Sequence, residues 1–221
     1  MAPGLIVTLR RGFARFDPDA SDAPDARTHY LHRPETEPAT NRFNDPMCDA
    51  QGRFWGGTMD SACRAATGAL YRFDSDGRCV RHGLGFAVTN GPTWSLDQRT
   101  MYVDDTVNGR VHAFDFDAAS DHLSAQRLWL QFGPGDGVPD GMTTDPAGRL
   151  RIARSIASSF RKRIGRFTPN GSPLATIARI SRWQLAVSPD EVSTMPSPPA
   201  RDTAEASGLR AIQPIGTCRI G

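Results

Sequence analysis

Asp49-Ala50-Gln51-Gly52-Arg53-Phe54-Trp55, followed by Gly68-Ala69-Leu70-Tyr71-Arg72-Phe73-Asp74, is the stretch that decides the fold. The first half is a D-x-x-G-R turn feeding an apolar strand; the second is a strand that closes on an aromatic and an aspartate. The same order returns from Leu96-Asp97-Gln98-Arg99-Thr100-Met101-Tyr102 to Arg110-Val111-His112-Ala113-Phe114-Asp115. It returns again from Asp145-Pro146-Ala147-Gly148-Arg149-Leu150 to Arg163-Ile164-Gly165-Arg166-Phe167-Thr168. A further copy of the closing strand, Gly12-Phe13-Ala14-Arg15-Phe16-Asp17, stands near the start. Asp49, Asp97 and Asp145 are spaced 48 residues apart. A period of roughly 40–50 residues with several short strands per unit is the signature of a propeller blade.

Working outward, the alternating apolar positions Met101, Val103 and Val111, Ala113 place blade faces against neighbours. No stretch carries the i, i+3, i+4 pattern of a long amphipathic helix. The expectation is an all-β chain, a β-propeller with about four blades recognisable; a β-sandwich with coincidental spacing is the alternative. The composition agrees: 221 residues suffice for a large core, and 21 Gly and 17 Pro suit a turn-rich protein. The propeller is expected over residues 1–180, with 181–221 as a divergent tail, partly disordered or the remnant of a last blade. Met195-Pro196-Ser197-Pro198-Pro199 breaks any strand there.

Charge and cysteine content narrow the classes. The net charge of +2 names no partner, although residues 149–182 hold eight arginines, one lysine and no carboxylate. No base-reading pattern accompanies that run, so solvated strands and loops are expected rather than nucleic-acid binding. Cys48, Cys63, Cys79 and Cys218 form no C-x-x-C pair, and Leu5-Ile6-Val7 is too short for a leader or a membrane span. Reduced thiols in a cytoplasmic protein, with no membrane partner, are the expectation. Gly133-Pro134-Gly135-Asp136-Gly137 lacks the Lys-Ser/Thr pair of a phosphate loop, and no G-x-S-x-G elbow surrounds Ser155, Ser158 or Ser159.

Three stretches put polar residues between predicted strands: Arg42-Phe43-Asn44-Asp45, Thr89-Asn90-Gly91 and Pro139-Asp140-Gly141-Met142. They precede Asp49, Asp97 and Asp145 by 4, 7 and 5 residues, counted from Asp45, Asn90 and Asp140. Equivalent positions in successive blades converge on a central channel. A carboxylate and two amide oxygens there suit a hard cation such as Ca²⁺, Mg²⁺ or Mn²⁺, and a guanidinium beside them suits a carboxylate or hydroxyl-rich ligand. Asn-Gly and Asp-Gly are also strong turn formers, so a plain turn role for Asn90 and Asp140 stays open.

These stretches resemble the senescence-marker/gluconolactonase/regucalcin family of six-bladed propellers. The resemblance runs through Asn41-Arg42-Phe43-Asn44-Asp45 and Phe54-Trp55-Gly56-Gly57-Thr58-Met59. It continues in Thr89-Asn90-Gly91 with Trp94-Ser95, Tyr102-Val103-Asp104-Asp105-Thr106, and Gly135-Asp136-Gly137-Val138-Pro139-Asp140-Gly141-Met142, over about residues 4–176. It implies a metal-dependent hydrolase that opens a sugar lactone in carbohydrate metabolism. The divalent metal, Ca²⁺ first with Zn²⁺, Mn²⁺ or Mg²⁺ as alternatives, would sit on Asn90 and Asp140. Asp140 would also be catalytic, and Arg42, Asn44 and Asp60 would bind substrate. The family's first-blade glutamate has no counterpart: Glu35 and Glu37 lie in a Pro-rich loop out of register. That implies impaired activity in an N-terminally truncated propeller. A non-enzymatic propeller binding calcium or a partner, or an incomplete inactive fragment, is the alternative. The oligomeric state is open.

Overall fold

The computed structural model describes residues 5–20, 27–156, 161–178 and 218–219. Every named element is a strand, and the strands form four four-stranded antiparallel sheets. The second holds β4 (Asn41–Cys48), β5 (Phe54–Asp60), β6 (Gly68–Phe73) and β7 (Cys79–Phe86) in order. The third holds β8 (Thr89–Trp94), β9 (Thr100–Asp105), β10 (Arg110–Phe116) and β11 (Leu123–Gln131). The fourth holds β12 (Val138–Thr144), β13 (Leu150–Ile156), β14 (Arg161–Phe167) and β15 (Pro173–Ala178). In the first, β1 (Leu5–Leu9), β2 (Gly12–Phe16) and β3 (Thr28–His32) are preceded by β16 (Cys218–Arg219), which pairs antiparallel with β1. Apart from that pair, the expected tail over residues 181–221 lies outside the described residues.

Sheet stacks on sheet as in a β-propeller. Ile6 and Phe13 of the first meet Phe43, Phe54 and Tyr71 of the second; Trp55, Leu70 and Phe86 meet Trp94, Met101 and Phe114 of the third. Tyr102 and Val111 in turn meet Met142, Leu150 and Phe167 of the fourth. The two-residue alternation explains this: Met101 and Val103 face one neighbour, Tyr102 the other. Trp55 is fully buried, a contribution on the order of 2–3 kcal/mol.

The D-x-x-G-R turns are carboxylate-held. Asp49 accepts the Gln51 and Arg53 N–H groups on Oδ1 at 3.0 and 2.9 Å, and Arg53 Nε and Trp55 Nε1 on Oδ2. Asp145 does the same with Ala147 and Arg149. Asp97 is not their equivalent. Ser95 heads the β8–β9 turn, its N–H donating to the Thr100 carbonyl, and the Ser95 hydroxyl donates to Asp97. The repeat therefore runs through positions 49, 95 and 145, in steps of 46 and 50 residues rather than an even 48. Measured to these turn heads, Asp45, Asn90 and Asp140 stand 4, 5 and 5 residues upstream, a tighter match than the sequence alone indicated.

Cys63 and Cys79 are free, but Cys48 is disulfide-bonded, against the expectation of reduced thiols throughout. Such pairing depends on proximity in the fold, which cysteine spacing does not encode. Among the described residues no helix is long and apolar enough to cross a membrane.

Candidate functional site

The three polar stretches lie within strands, not between them. Each interrupts an inner strand as a bulge: the register slips between Phe43 and Pro46 in β4, between Asn90 and Thr93 in β8, and between Pro139 and Met142 in β12. A bulge frees residues from the ladder and re-aims their side chains, which is why polar groups can crowd at the inner edge of a sheet. Strands β4, β8 and β12 pack side by side, so the bulges converge. Gly91, at φ +80°, belongs to this fit: a Cβ there would lie 3.0 Å from Met142 Cε on β12.

Arg42, Asn44 and Asn90 form one hydrogen-bonded group. Arg42 Nη1 donates to Asn44 Oδ1 at 2.8 Å, and Asn44 Nδ2 donates to Asn90 Oδ1 at 2.9 Å and to the Thr89 carbonyl at 2.8 Å. Asn90 Nδ2 donates to Thr106 Oγ1 at 2.7 Å. Asp140 accepts the Ser155 hydroxyl on Oδ2 and its neighbour Gly141 N–H on Oδ1, both at 3.1 Å. Asp45 lies between the two bulges, accepting the Gly91 N–H at 3.2 Å and standing 3.4 Å from where a Cβ on Gly141 would lie. Asp60 ends β5, where its two oxygens accept the N–H groups of Ala62, Arg64 and Ala65, which hold its carboxyl below the usual range. It shapes the 61–65 loop. Glu37, as its register implied, is engaged elsewhere, accepting the Tyr71 hydroxyl at 2.6 Å.

The electrostatics separate this cluster from the rest of the molecule. Asp104, on β9 directly opposite Asn90, has no exposed surface, and neither of its oxygens has a hydrogen-bond partner. Burial first, then the charges of Asp140, Asp45 and Asp105, push its carboxyl well above the usual value. Burial also raises Asp45 to about 7, with Asp140 adding to the rise and the Gly91 N–H opposing it. Carboxyl oxygens left without partners, as at Asp104, beside amide oxygens fit a hard divalent cation in kind. Among the described residues, however, no three Asp, Glu, His or Cys side chains stand together as a ready cage, so amide oxygens would have to complete it.

Sequence reasoning singled out five of these residues and passed over Asp104, Thr106 and Ser155 as agents. Asp104 and Thr106 sit in the quoted Tyr102–Thr106 run, where the aspartate interrupts an otherwise apolar inner face. Ser155 carried no signal, lying in the basic strand.

The sequence matches the profile of the SMP-30/gluconolactonase/LRE-like region over residues 1–183. It is 35% identical over 155 residues to regucalcin of Xenopus laevis, covering 68% of this chain and 50% of that one. It is 31% identical over 149 residues to YvrE of Bacillus subtilis, a protein provisionally named a sugar lactone lactonase, with 67% and 49% covered. Among solved structures, a luciferin-regenerating enzyme superposes with a TM-score of 0.71 at 31% identity, over 80% of this chain and 59% of that one. A calcium-binding regucalcin from Agrobacterium tumefaciens shares the fold at a TM-score of 0.67 and 20% identity. The chain thus spans about half the length of the curated relatives it matches. With bulged inner strands, an Arg-Asn-Asn group and a match across most of its length, the chain belongs to the SMP-30/gluconolactonase/LRE-like family.

Proposed function

We propose that the protein opens sugar lactones by hydrolysis, with a divalent cation, Ca²⁺ or Mn²⁺ foremost, held by Asn90 and Asp140. The observation that carries this reading is the oriented Arg42–Asn44–Asn90 group beside the buried Asp104 carboxyl, whose two oxygens have no hydrogen-bond partner. Family membership supports the reaction class. A bound cation would polarise the lactone carbonyl and stabilise the oxyanion.

The chain's own residues supply the rest. Arg42 orients the hydroxyl-rich ring through its remaining guanidinium N–H donors. Asn44, whose own N–H groups go to Thr89 and Asn90, holds that guanidinium in place and offers the ring the second lone pair of its Oδ1. Asp60 reaches the substrate through the loop it organises. Asp140, with Ser155 donating to one oxygen, takes the proton of an attacking water. Water oxygen bonds to the carbonyl carbon, the ring C–O bond breaks, and the proton passes to the departing alkoxide, leaving the open-chain hydroxy acid.

Hydrolysis of several aldonolactones by the purified protein, with Ca²⁺, Mn²⁺ or Zn²⁺ and with chelator, tests the reading. Metal-dependent turnover supports it; no turnover from a cooperatively folded sample refutes it. One observation favours a propeller that binds a cation or partner without turnover: the incomplete acidic cage among the described residues. Cation binding by calorimetry without hydrolysis would select that alternative.

A further inference from the structure

One hydrogen-bond chain in the site has a direction forced from its ends. A guanidinium can only donate, so the amide of Asn44 must turn its oxygen to Arg42, 2.8 Å away, and its NH₂ away from it. A backbone carbonyl can only accept, and the same NH₂ meets the Thr89 carbonyl at 2.8 Å, which gives the same orientation independently. Asn90 therefore faces Asn44 with Oδ1, at 2.9 Å, and its own NH₂ needs an acceptor on the far side. That acceptor is Thr106 Oγ1 at 2.7 Å. Thr106 is itself fixed just beyond β9, its N–H donating to the Val88 carbonyl at 2.9 Å.

We propose that Thr106 is a positioning residue: it locks the Asn90 amide with Oδ1 toward the channel and so joins the Arg42–Asn44 end of the site to the Asn90–Asp140 end. Without the hydroxyl, the NH₂ of a residue only 5% exposed loses its acceptor. The amide is then held from the Asn44 side alone and gains freedom to swing, and in a flipped form it would present NH₂ to the NH₂ of Asn44 and to any cation. This rests on the lactonase reading only for its catalytic consequence; the orientation is a property of the chain's own side chains.

The test compares wild type with Thr106→Val, which keeps the shape and removes the acceptor, and Thr106→Ser, which keeps the acceptor. Mn²⁺ and Ca²⁺ affinities are measured by calorimetry, Asn44 and Asn90 side-chain amides by ¹⁵N NMR without metal, and folding by thermal melting. Thr106→Val is expected to weaken cation binding by about 10–100-fold, to lower kcat more than it changes KM, and to shift the Asn90 NH₂ signals. Thr106→Ser is expected to stay within about 3-fold of wild type, since the orienting acceptor remains. Wild-type affinity and unmoved Asn90 signals in a folded Thr106→Val protein would overturn the proposal. Should Thr106→Val fail to fold, Thr106→Ala takes its place under the same two outcomes. If wild type binds neither cation, the lactonase reading fails by itself, and the amide signals alone decide Thr106: moved, it orients Asn90; unmoved, it does not.

Discussion

Two sets of buried aspartates divide the molecule. At one end of the inner strands, Asp49 and Asp145 are saturated: backbone N–H groups, an arginine and, at Asp49, an indole N–H fill their oxygens. Around the bulges, Asp104 has no partner for either oxygen and Asp45 has the Gly91 N–H. The same side chain thus meets opposite fates within one strand length. At Asp145, burial pushes the carboxyl up, but the Arg149 and Ala147 N–H groups and the Arg149 guanidinium outweigh it and hold the carboxyl below its usual value. At Asp104 nothing opposes burial. The difference teaches where to look for chemistry: a buried charge satisfied by its own turn builds the fold, and one left unsatisfied calls for a ligand or a proton.

Around the bulges, removing the proposed base has the largest expected effect. Asp140→Asn is expected to lower lactone turnover by about 1,000-fold or more while melting as wild type, because it keeps the shape and loses the base; wild-type turnover in this variant would remove Asp140 from the reaction. Breaking the saturated set should show the reverse. Asp49→Ala leaves Trp55 Nε1 and turn N–H groups without their acceptor and is expected to cost about 2–4 kcal/mol in urea unfolding.

The pH dependence sharpens the contrast further. Asp45 rises to about 7 in the fold, so the folded state holds a proton that the unfolded chain releases near pH 4. Its contribution to stability therefore falls as pH rises from about 4 to 7 in metal-free protein, by on the order of 1–3 kcal/mol. Asp104 acts in the same direction and Asp145 in the opposite one, its contribution being lost as pH falls through the acid range. Asp45→Asn is expected to flatten the slope between pH 4 and 7; an unchanged slope would show that Asp45 is ionised throughout. Smallest of all, Asp97→Ala should change stability by less than about 0.5 kcal/mol, since Asp97 is exposed and Ser95 heads its turn. A larger loss would make Asp97 a true counterpart of Asp49.

What could be read from residues alone follows the range of the interactions. The turns at Asp49 and Asp145 were legible because their partners lie within six residues, as were the aromatic strands that stack sheet on sheet. Asn44, Asn90 and Asp140 were legible as a group, but their setting was not. Asn-Gly and Asp-Gly read as turns, whereas a bulge is defined by the strand opposite, which local sequence does not display. Thr106 and Ser155 went unnoticed for the same reason: a threonine after two aspartates and a serine after an arginine acquire meaning only from Asn90 and Asp140 beside them. Asp97 was misread because its side chain caps the turn that its neighbour Ser95 forms.

The bulges also bear on how the protein assembles. The three sheets that carry the site are each built from neighbours in the chain and can form early, but Asn44, Asn90 and Asp140 come one from each. No single hairpin contains the site, so it comes into being only when the sheets dock, the step with the greatest loop-closure entropy to overcome. Competence to bind a ligand should therefore appear in refolding after strand content has returned, and on gentle heating it should vanish first, while the sheets still stand.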